Sequence, residues 1–155
     1  MAQKNNRRAT EAEPIPAFRS ALMAKVKGKN TGPEKIVRGA LHRLGCRFRL
    51  HRKDLPGSPD IVLTKYRLAI FVHGCFWHRH PGCSKSTVPK TRAKFWSDKF
   101  AANISRDLRA TSALKAQGWK PIIVWECETK NAQRLDRKLS KLTTKRQSRL
   151  AKKAS

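Results

Sequence analysis

Acidic residues are scarce in this chain of 155 residues: 10 Asp and Glu face 36 Lys and Arg, for a net charge of +26. Such an imbalance opposes compaction and indicates a polyanionic partner, with nucleic acid as the first candidate and an anionic membrane surface as the second. The sequence has no apolar run long enough to span a membrane, and its N-terminus has no apolar signal segment. We therefore expect a soluble, intracellular protein.

Cysteine is also sparse, with four residues in the chain. Four cysteines can form two disulfides, but in a reducing compartment, with histidines among them, they favour a metal site. The length suits one domain with a single core. A hydrophobic content of 39% permits folding, although it lies below the globular average.

Hydrophobic spacing predicts the order helix, strand, strand, strand, long helix, strand, helix. The first helix covers residues 36–44 and ends at Gly45, and the long helix runs from a Thr91 cap to Gly118. The long helix has an apolar stripe at every fourth residue: Trp96, Phe100, Ile104 and Leu108. The predicted strands are 46–50, 61–63, 68–72 and 119–125. This order predicts a small mixed sheet flanked by helices, in the α/β or α+β class.

Both ends of the chain are polar and basic. We interpret residues 1–18 as a flexible basic arm and residues 19–27 as a short helix in which Met23 packs in the core. The segment 129–155 has ten basic residues, one acid and only a thin seam of leucines. It is predicted to be a marginal helix that frays into a tail. Its charge either binds phosphates without specificity or forms a solvated face.

A cysteine- and histidine-rich segment, FVHGCFWHRHPGC, directly follows the apolar third strand. Within it Cys75 and Cys83 flank His80, and Cys127 follows a later strand, so the four can form the Cys3His set of a structural zinc site. Such a zinc would cross-link a loop to a distant strand and stabilise a small, self-repelling domain. The alternatives are loop and core thiols without metal, or His78 in place of His80.

A second constellation joins two strand ends. Asp60 opens one strand and Val72 closes the next, so pairing of the strands would bring them face to face. A carboxylate, a main-chain carbonyl, water and a substrate phosphate are typical ligands of Mg²⁺, and two such ions can activate water. His73 or His78 nearby could accept the proton of that water, whereas a structural role for the histidines is the alternative.

Glu34 has a local explanation. Thr31 and Glu34 have the spacing of a capping box, and Pro33 fits the first turn of the helix that follows. The sequence on its own therefore predicts a helix cap at Glu34.

Several segments resemble the very-short-patch-repair (Vsr) mismatch endonucleases, from about Arg19 to Glu128: LPGSPDIVL, FVHGCFWHRHPGC, FWSDK with a following Asn and Arg-Asp, and GWKPIIVWEC. The resemblance implies that residues 19–128 form an endonuclease domain with a restriction-endonuclease-like fold and a degenerate PD-(D/E)xK site. Members of this family nick one DNA strand on the 5′ side of the T in a T:G mismatch, which arises when 5-methylcytosine deaminates. The implied partner is double-stranded DNA with such a mismatch, and other mismatch-repair proteins are further candidates. The implied protein is a cytoplasmic, nucleoid-associated monomer of bacterial type.

For the catalytic site, the resemblance implies that Asp60 and the carbonyl of Val72 bind two Mg²⁺ ions and that His78 is the catalytic histidine. His73 and Glu34 would hold waters bound to the metal. Val72 departs from the family, which often has Thr there: the carbonyl is kept, but any role of a hydroxyl is lost.

Other matches extend this implied site. Asp107 and Asn103, one turn apart on the long helix, match polar residues near the site and the DNA. The loop after His80 is one residue longer than in some members of the family. The implied ligands of one structural zinc ion are Cys75, His80, Cys83 and Cys127.

An aromatic wedge is also implied, formed by Phe76, Trp77 and Trp96. Insertion beside a base pair costs about a few kcal/mol of unstacking, and this cost is smallest where pairing is already poor. Discrimination would come partly from the deformability of the T:G step. The alternative is that these aromatics belong to the core. Further implied DNA contacts are Met23, Lys99, Asn103 and Arg106.

Three hypotheses follow. The favoured one is a Mg²⁺-dependent mismatch endonuclease. The second is a zinc-stabilised DNA-binding module without catalysis, which a metal-independent footprint without strand breaks would support. The third is a related nicking or restriction enzyme that needs no mismatch, which comparable cleavage of perfectly paired DNA would support.

Overall fold

The computed structural model describes residues 28–154, so the predicted arm 1–18 and the helix around Met23 lie outside the described residues. The described part contains α1 (Gly32–Arg43), β1 (Arg49–Leu50), β2 (Ile61–Leu63), β3 (Leu68–His73), α2 (Ala93–Ala116), β4 (Lys120–Trp125) and α3 (Ala132–Ala154). Short 3₁₀ turns occupy Thr64–Tyr66 and Glu126–Lys130. The predicted order of elements is confirmed.

The four strands form one mixed sheet in the order β1-β2-β3-β4. The first two pairs are antiparallel, and β3 and β4 are parallel, with His73 opposite Trp125. The start of β2 and the ends of β3 and β4 therefore meet at one end of the sheet. β4 is an edge strand, so one side of it has no strand partner. Pro121 is tolerated in such a strand because the N–H that proline lacks is not needed on the side without a partner.

Helices cover both faces of the sheet. Successive side chains of β2 and β3 point to opposite faces, so each strand contributes apolar residues to both cores. One face packs against α1 and α3 in a core that includes Val37, Leu41, Ile61, Leu63, Ile70, Val124, Leu135 and Leu139. The other face packs against α2, with Leu55, Val62, Ala69, Phe71, Leu114 and Trp119. The predicted fold class, a mixed sheet flanked by helices, is confirmed.

Three local predictions were wrong. The first strand is limited to Arg49–Leu50, because Cys46 stays with α1, its N–H donating to the Leu41 carbonyl. Helix α2 begins at Ala93 without a side-chain cap, after Arg92 with φ of 53°, so Thr91 is no cap. Helix α3 continues to Ala154 rather than fraying early.

The predicted apolar stripe of α2 is only half buried. Trp96 and Phe100 are buried, but Ile104 and Leu108 are 42% and 62% exposed. A spacing of four residues advances about 40° around the helix at each step, because a turn holds 3.6 residues. The stripe therefore turns away from the core after two members.

Within the described range 28–154, no helix combines the length and apolarity that crossing a membrane requires.

Candidate active site and metal cluster

A cleft of about 970 Å³ opens at the end of the sheet where β2 begins and β3 ends. Residues from α1, α2 and the loops beside the sheet form its walls. Most of the residues that the sequence singled out for catalysis and DNA contact lie there: Glu34, Asp60, Val72, His73, Trp77, His78, Lys99, Asn103, Arg106 and Asp107. Elements far apart in the chain thus converge on one cavity.

Asp60 is tied directly to the end of β3. The N–H of Val72 donates a hydrogen bond to Asp60 Oδ2 at 2.8 Å, so the predicted approach of the two strand ends is confirmed. Burial raises the pKa of Asp60, and the nearby Glu34 adds to the rise, while the Val72 N–H opposes it. A cation beside this carboxylate would favour its ionised form.

Glu34 is the predicted helix cap, and it is 2% exposed. The reciprocal capping box with Thr31 is present. Glu34 Oε2 also accepts hydrogen bonds from the Asn30 N–H at 3.0 Å and from Arg38 Nη2 at 2.9 Å. The cap thus fixes a carboxylate on the wall of the cleft.

His51 is a member of this group that sequence reasoning missed. Ligand atoms of Glu34, His51 and Asp60 all lie within 4.8 Å of one another. The N–H of His51 donates to the Asp60 carbonyl at 3.1 Å, and its Nε2 lies 3.2 Å from Arg38 Nη2. His51 directly follows β1, and the antiparallel pairing of β1 with β2 brings it beside Asp60.

A second group contains the two histidines that follow the third strand. His78 Nδ1 lies 2.6 Å from Asp107 Oδ2, and the rings of His73 and His78 stack with centroids 3.7 Å apart. The pKa of His73 is lowered to about 4, chiefly by burial and further by the charge of His78. His73 is therefore neutral near pH 7, and the shorter contact of Asp107 is with His78.

The cysteines and one histidine form a third group. Ligand atoms of Cys75, His80, Cys83 and Cys127 lie within 4.8 Å of one another, which suits a tetrahedral metal. His80 Nδ1 lies 3.6 Å from the sulfur of Cys75 and 3.3 Å from that of Cys127. The structure thus places His80 with the cysteines, whereas His78 faces Asp107.

The surroundings of this cluster favour a bound cation. Burial raises the pKa of Cys75 to about 12, and the neighbouring sulfurs contribute to the shift. A divalent cation reverses this balance, because it stabilises the thiolates. The His80 ring stacks on Trp125 at 4.2 Å between centroids, which fixes its orientation. These donors fit a structural metal with no open position.

The predicted wedge residues form an aromatic cluster between the loop after β3, which carries Phe76 and Trp77, and α2, which carries Trp96 and Phe100. Phe76 contacts Trp77, Trp96 and Phe100 edge to face, with centroids 5.1 to 5.4 Å apart. Trp96 is 8% exposed, so in this arrangement it packs as a core residue. Phe76 and Trp77 are only half-buried, and Trp77 lines the cleft.

Polar residues of α2 hold the loop after β3, which carries Trp77 and His78, beside the cleft. Asn103 Nδ2 donates to the Trp77 carbonyl at 3.0 Å, and Arg106 Nη2 donates to Asn103 Oδ1 at 2.6 Å. The ammonium of Lys99 lies 5.9 Å from the Trp77 ring centroid. The helix therefore fixes the main chain before His78 and lines the same wall with cations.

Two carboxylates near a histidine–aspartate pair, with lysines and arginines around them, are suited to a hydrolase that cleaves polyanions with divalent metal ions. A comparison of chain folds finds a similar catalytic domain. The catalytic domain of homing endonuclease I-Bth0305I superposes with a TM-score of 0.54 at 20% identity, over 76% of this chain and 98% of that domain. This likeness shows that the two chains share a fold.

Sequence comparison then gives the family. Residues 14–85 match the family model described as DNA mismatch endonuclease Vsr. The DNA mismatch endonuclease Vsr of Escherichia coli strain K12 is 42% identical over 119 residues, 77% of this chain and 76% of that protein. Type II nicking enzyme V.XorIIP of Xanthomonas oryzae pv. oryzae is 53% identical over 124 residues, 80% of this chain and 90% of that protein. The chain belongs to the Vsr family of DNA mismatch endonucleases and is a DNA-nicking endonuclease.

Proposed function

We propose that this protein nicks one strand of duplex DNA on the 5′ side of the T in a T:G mismatch, in a reaction that depends on Mg²⁺. The observation that carries the proposal is the convergence of Asp60, His78 and Asp107 in one cleft. The named activities of the relatives, a mismatch endonuclease and a nicking enzyme, support it. The mismatch is the product of 5-methylcytosine deamination.

Asp60 and the carbonyl of Val72 are the groups that we assign to two Mg²⁺ ions, with Glu34 and His51 beside them. Buried carboxylates suit Mg²⁺, because they offer hard oxygen donors and a divalent cation offsets their repulsion. When bound, the ions polarise the phosphate and make water a better nucleophile. Glu34 is held by its cap, so it contributes a fixed negative charge and fixed acceptors.

His78 is the proposed general base. Because an ionised Asp107 only accepts hydrogen bonds, their 2.6 Å contact places the proton of the imidazole on Nδ1 and leaves Nε2 free. Water bonds to phosphorus through its oxygen and gives its proton to Nε2. The P–O bond to the sugar oxygen breaks, and that oxygen leaves with the electron pair and takes a proton from solvent water. Asp107 then stabilises the imidazolium. His73 stacks on His78 and limits the rotation of its ring.

The loop after β3, which carries Phe76 and Trp77, is the proposed sensor of the mismatch. Trp77 lines the cleft, and Phe76 packs against its ring. Insertion of these rings beside a weakly paired T:G step costs less unstacking energy than insertion into a paired step. Trp96 supports them from beneath. Lys99, Asn103 and Arg106 would contact the backbone near the cut, and Met23, outside the described residues, is the remaining proposed contact.

The cysteine cluster is the proposed site of one structural zinc ion. Cys75, His80, Cys83 and Cys127 would hold the loop that carries His78 against the 3₁₀ turn after β4. The chemistry of zinc here is structural, because four protein donors leave no position for substrate.

The domain limits, the cellular location and the oligomeric state are part of the same proposal. The endonuclease domain is residues 19–128, with a basic arm at 1–18 and a basic segment at 129–155. The family membership favours a cytoplasmic, bacterial-type setting, and a single cleft suits a monomer that cuts one strand. Other mismatch-repair proteins are proposed further partners.

A strand-specific nicking assay tests the specificity. Duplexes identical except for T:G, C:G or T:A at one position are labelled on each strand in turn and incubated with Mg²⁺ or EDTA at a stated salt concentration. We expect one cut, 5′ of the T, only in the T:G duplex and only with Mg²⁺. Comparable cutting of the paired duplexes would favour a nicking enzyme without mismatch specificity, and DNA binding without any cut would favour a binding module.

A further inference from the structure

Helix α3 carries a straight line of exposed cations, which we call the cationic line. At about 100° per residue, its five members fall within about 80° of one another around the helix axis. The members are Arg134, Arg137, Lys141, Lys145 and Lys152, and each is exposed. They lie outside the walls of the cleft, so the proposed catalytic chemistry does not use them.

The cationic line points away from the body because the opposite side of α3 is anchored. Leu135 and Leu139 are each 1% exposed in the core shared with α1 and the sheet. A basic helix that binds a lipid surface must insert its apolar side into that surface. Here Leu135 and Leu139, on the apolar side, are already buried in the core, so the geometry favours a nucleic acid over a membrane.

The acids closest to the line in sequence already have basic partners. Asp136 pairs with Arg43 at 2.9 Å, and Glu128 pairs with Lys138 at 2.8 Å. Lys138 lies between two members of the line in sequence, but its ammonium is already bound by the Glu128 carboxylate and the Ile123 carbonyl. The charge of the line is therefore left for an external anion.

The length of the line fits duplex DNA. From Arg134 to Lys152 the helix rises about 27 Å at 1.5 Å per residue, which equals about eight base pairs of duplex axis. We propose that the cationic line is a second DNA-binding surface, which contacts backbone phosphates outside the cleft without reading sequence. It holds the enzyme on undamaged duplex DNA before a mismatch reaches the cleft.

The test compares two full-length variants that each lose five charges. The line variant is R134Q/R137Q/K141Q/K145Q/K152Q, and glutamine preserves the helix because its propensity is close to that of Lys and Arg. The control variant, K35Q/R47Q/K65Q/K90Q/K115Q, removes exposed charges elsewhere outside the cleft. Circular dichroism verifies the helix content, and R134Q/R137Q/K141Q, in the anchored half of α3, serves as a milder variant.

Binding is measured by fluorescence anisotropy on a perfectly paired 30-base-pair duplex across a salt series. The slope of log K against log salt is negative, and each lost phosphate contact reduces its magnitude by up to about 0.9. We expect this magnitude to decrease by about two to four for the line variant, by one to two for the milder variant and by less than one for the control. Affinity at low salt should fall at least tenfold more for the line variant than for the control.

Other results would overturn the proposal. Equal losses in the line and control variants would mean that only net charge matters, and no loss in either would mean that the line is a solvated face. Stronger line-dependent binding to vesicles of 30% phosphatidylserine than to the duplex would assign the line to membranes. Single-turnover nicking at saturating enzyme should be unchanged in the line variant, so failure of this inference and failure of the proposed cleft chemistry are distinguishable.

Discussion

His78 Nδ1 and Asp107 Oδ2 lie 2.6 Å apart, although 28 residues separate them and they come from a loop and from the middle of α2. The carboxylate orients the imidazole and prepares it to take a proton. Asp107→Asn keeps the shape but loses the charge that stabilises the imidazolium. We expect the single-turnover nicking rate to fall by about 10²- to 10⁴-fold, with DNA affinity within threefold of wild type.

The matched control for that prediction is Asp98→Asn. Asp98 lies on the same helix and pairs with Lys94, but its side chain is 67% exposed. Its nicking rate should stay within twofold of wild type. Wild-type turnover by the Asp107 variant would remove the histidine–aspartate pair from the mechanism.

The proposed zinc site predicts a difference between two cysteines that are both free of disulfides, Cys127 and Cys46. Cys127→Ala removes one of four ligands and should abolish stoichiometric zinc in the purified protein. The melting temperature should fall by roughly 10 °C or more, because metal binding contributes several kcal/mol to folding. Cys46 is buried outside the cluster, so Cys46→Ala should retain one zinc per chain; equal zinc content in the two variants would contradict this assignment.

Gly57, in the loop before Asp60, has a backbone conformation that favours glycine. It has φ of 74°, and a Cβ there would lie 2.6 Å from the Cβ of Ala110. Gly45 has a similar φ of 68° with nothing within 4 Å. Gly45→Ala should lower the free energy of unfolding by about 1 kcal/mol through backbone strain alone, and Gly57→Ala by about 2–4 kcal/mol. Urea unfolding measures both, and equal losses would show that the contact with α2 is unimportant.

Two tryptophans of the aromatic cluster should behave differently. Trp96 is buried, so Trp96→Ala should cost about 3–5 kcal/mol of stability. Trp77 is half-buried at the cleft, so Trp77→Ala should leave stability nearly unchanged. That variant should lower the preference for T:G over C:G duplexes by about tenfold, since a stacked base contributes about 1–3 kcal/mol. An unchanged preference would show that Trp77 is not part of the mismatch sensor.

Local chemistry made much of this structure predictable. The capping box at Thr31 and Glu34 depends on residues three apart. The same holds for most of the cysteine cluster, because Cys75, His80 and Cys83 share one short loop. The pairing of Asp60 with the end of β3 could be predicted as well, since only a short turn separates the two strands.

The misses came from contacts that no local pattern encodes. His51 reaches the cleft through the pairing of β1 with β2, and its partner Arg38 lies on a different element. The sequence named His80 with the cysteines but left His78 as an alternative, and only the packing of α2, which places Asp107 against His78, separates the two. The anchoring of α3 depends on Leu135 and Leu139, which pack in the core with α1 and the sheet.

The most direct test of the central claim is Asp60→Asn. Asn keeps the size of the side chain and one oxygen that can accept the Val72 N–H, but it loses the negative charge that we assign to Mg²⁺. The control is Asp54→Asn, in the same loop, where the carboxylate is exposed and pairs with Arg52. Nicking of a T:G duplex in Mg²⁺ and binding of the same duplex in EDTA are measured side by side. We predict that Asp60→Asn loses nicking by at least a thousandfold and keeps binding within threefold, with Asp54→Asn unchanged in both; nicking by Asp60→Asn at the wild-type rate would contradict the account.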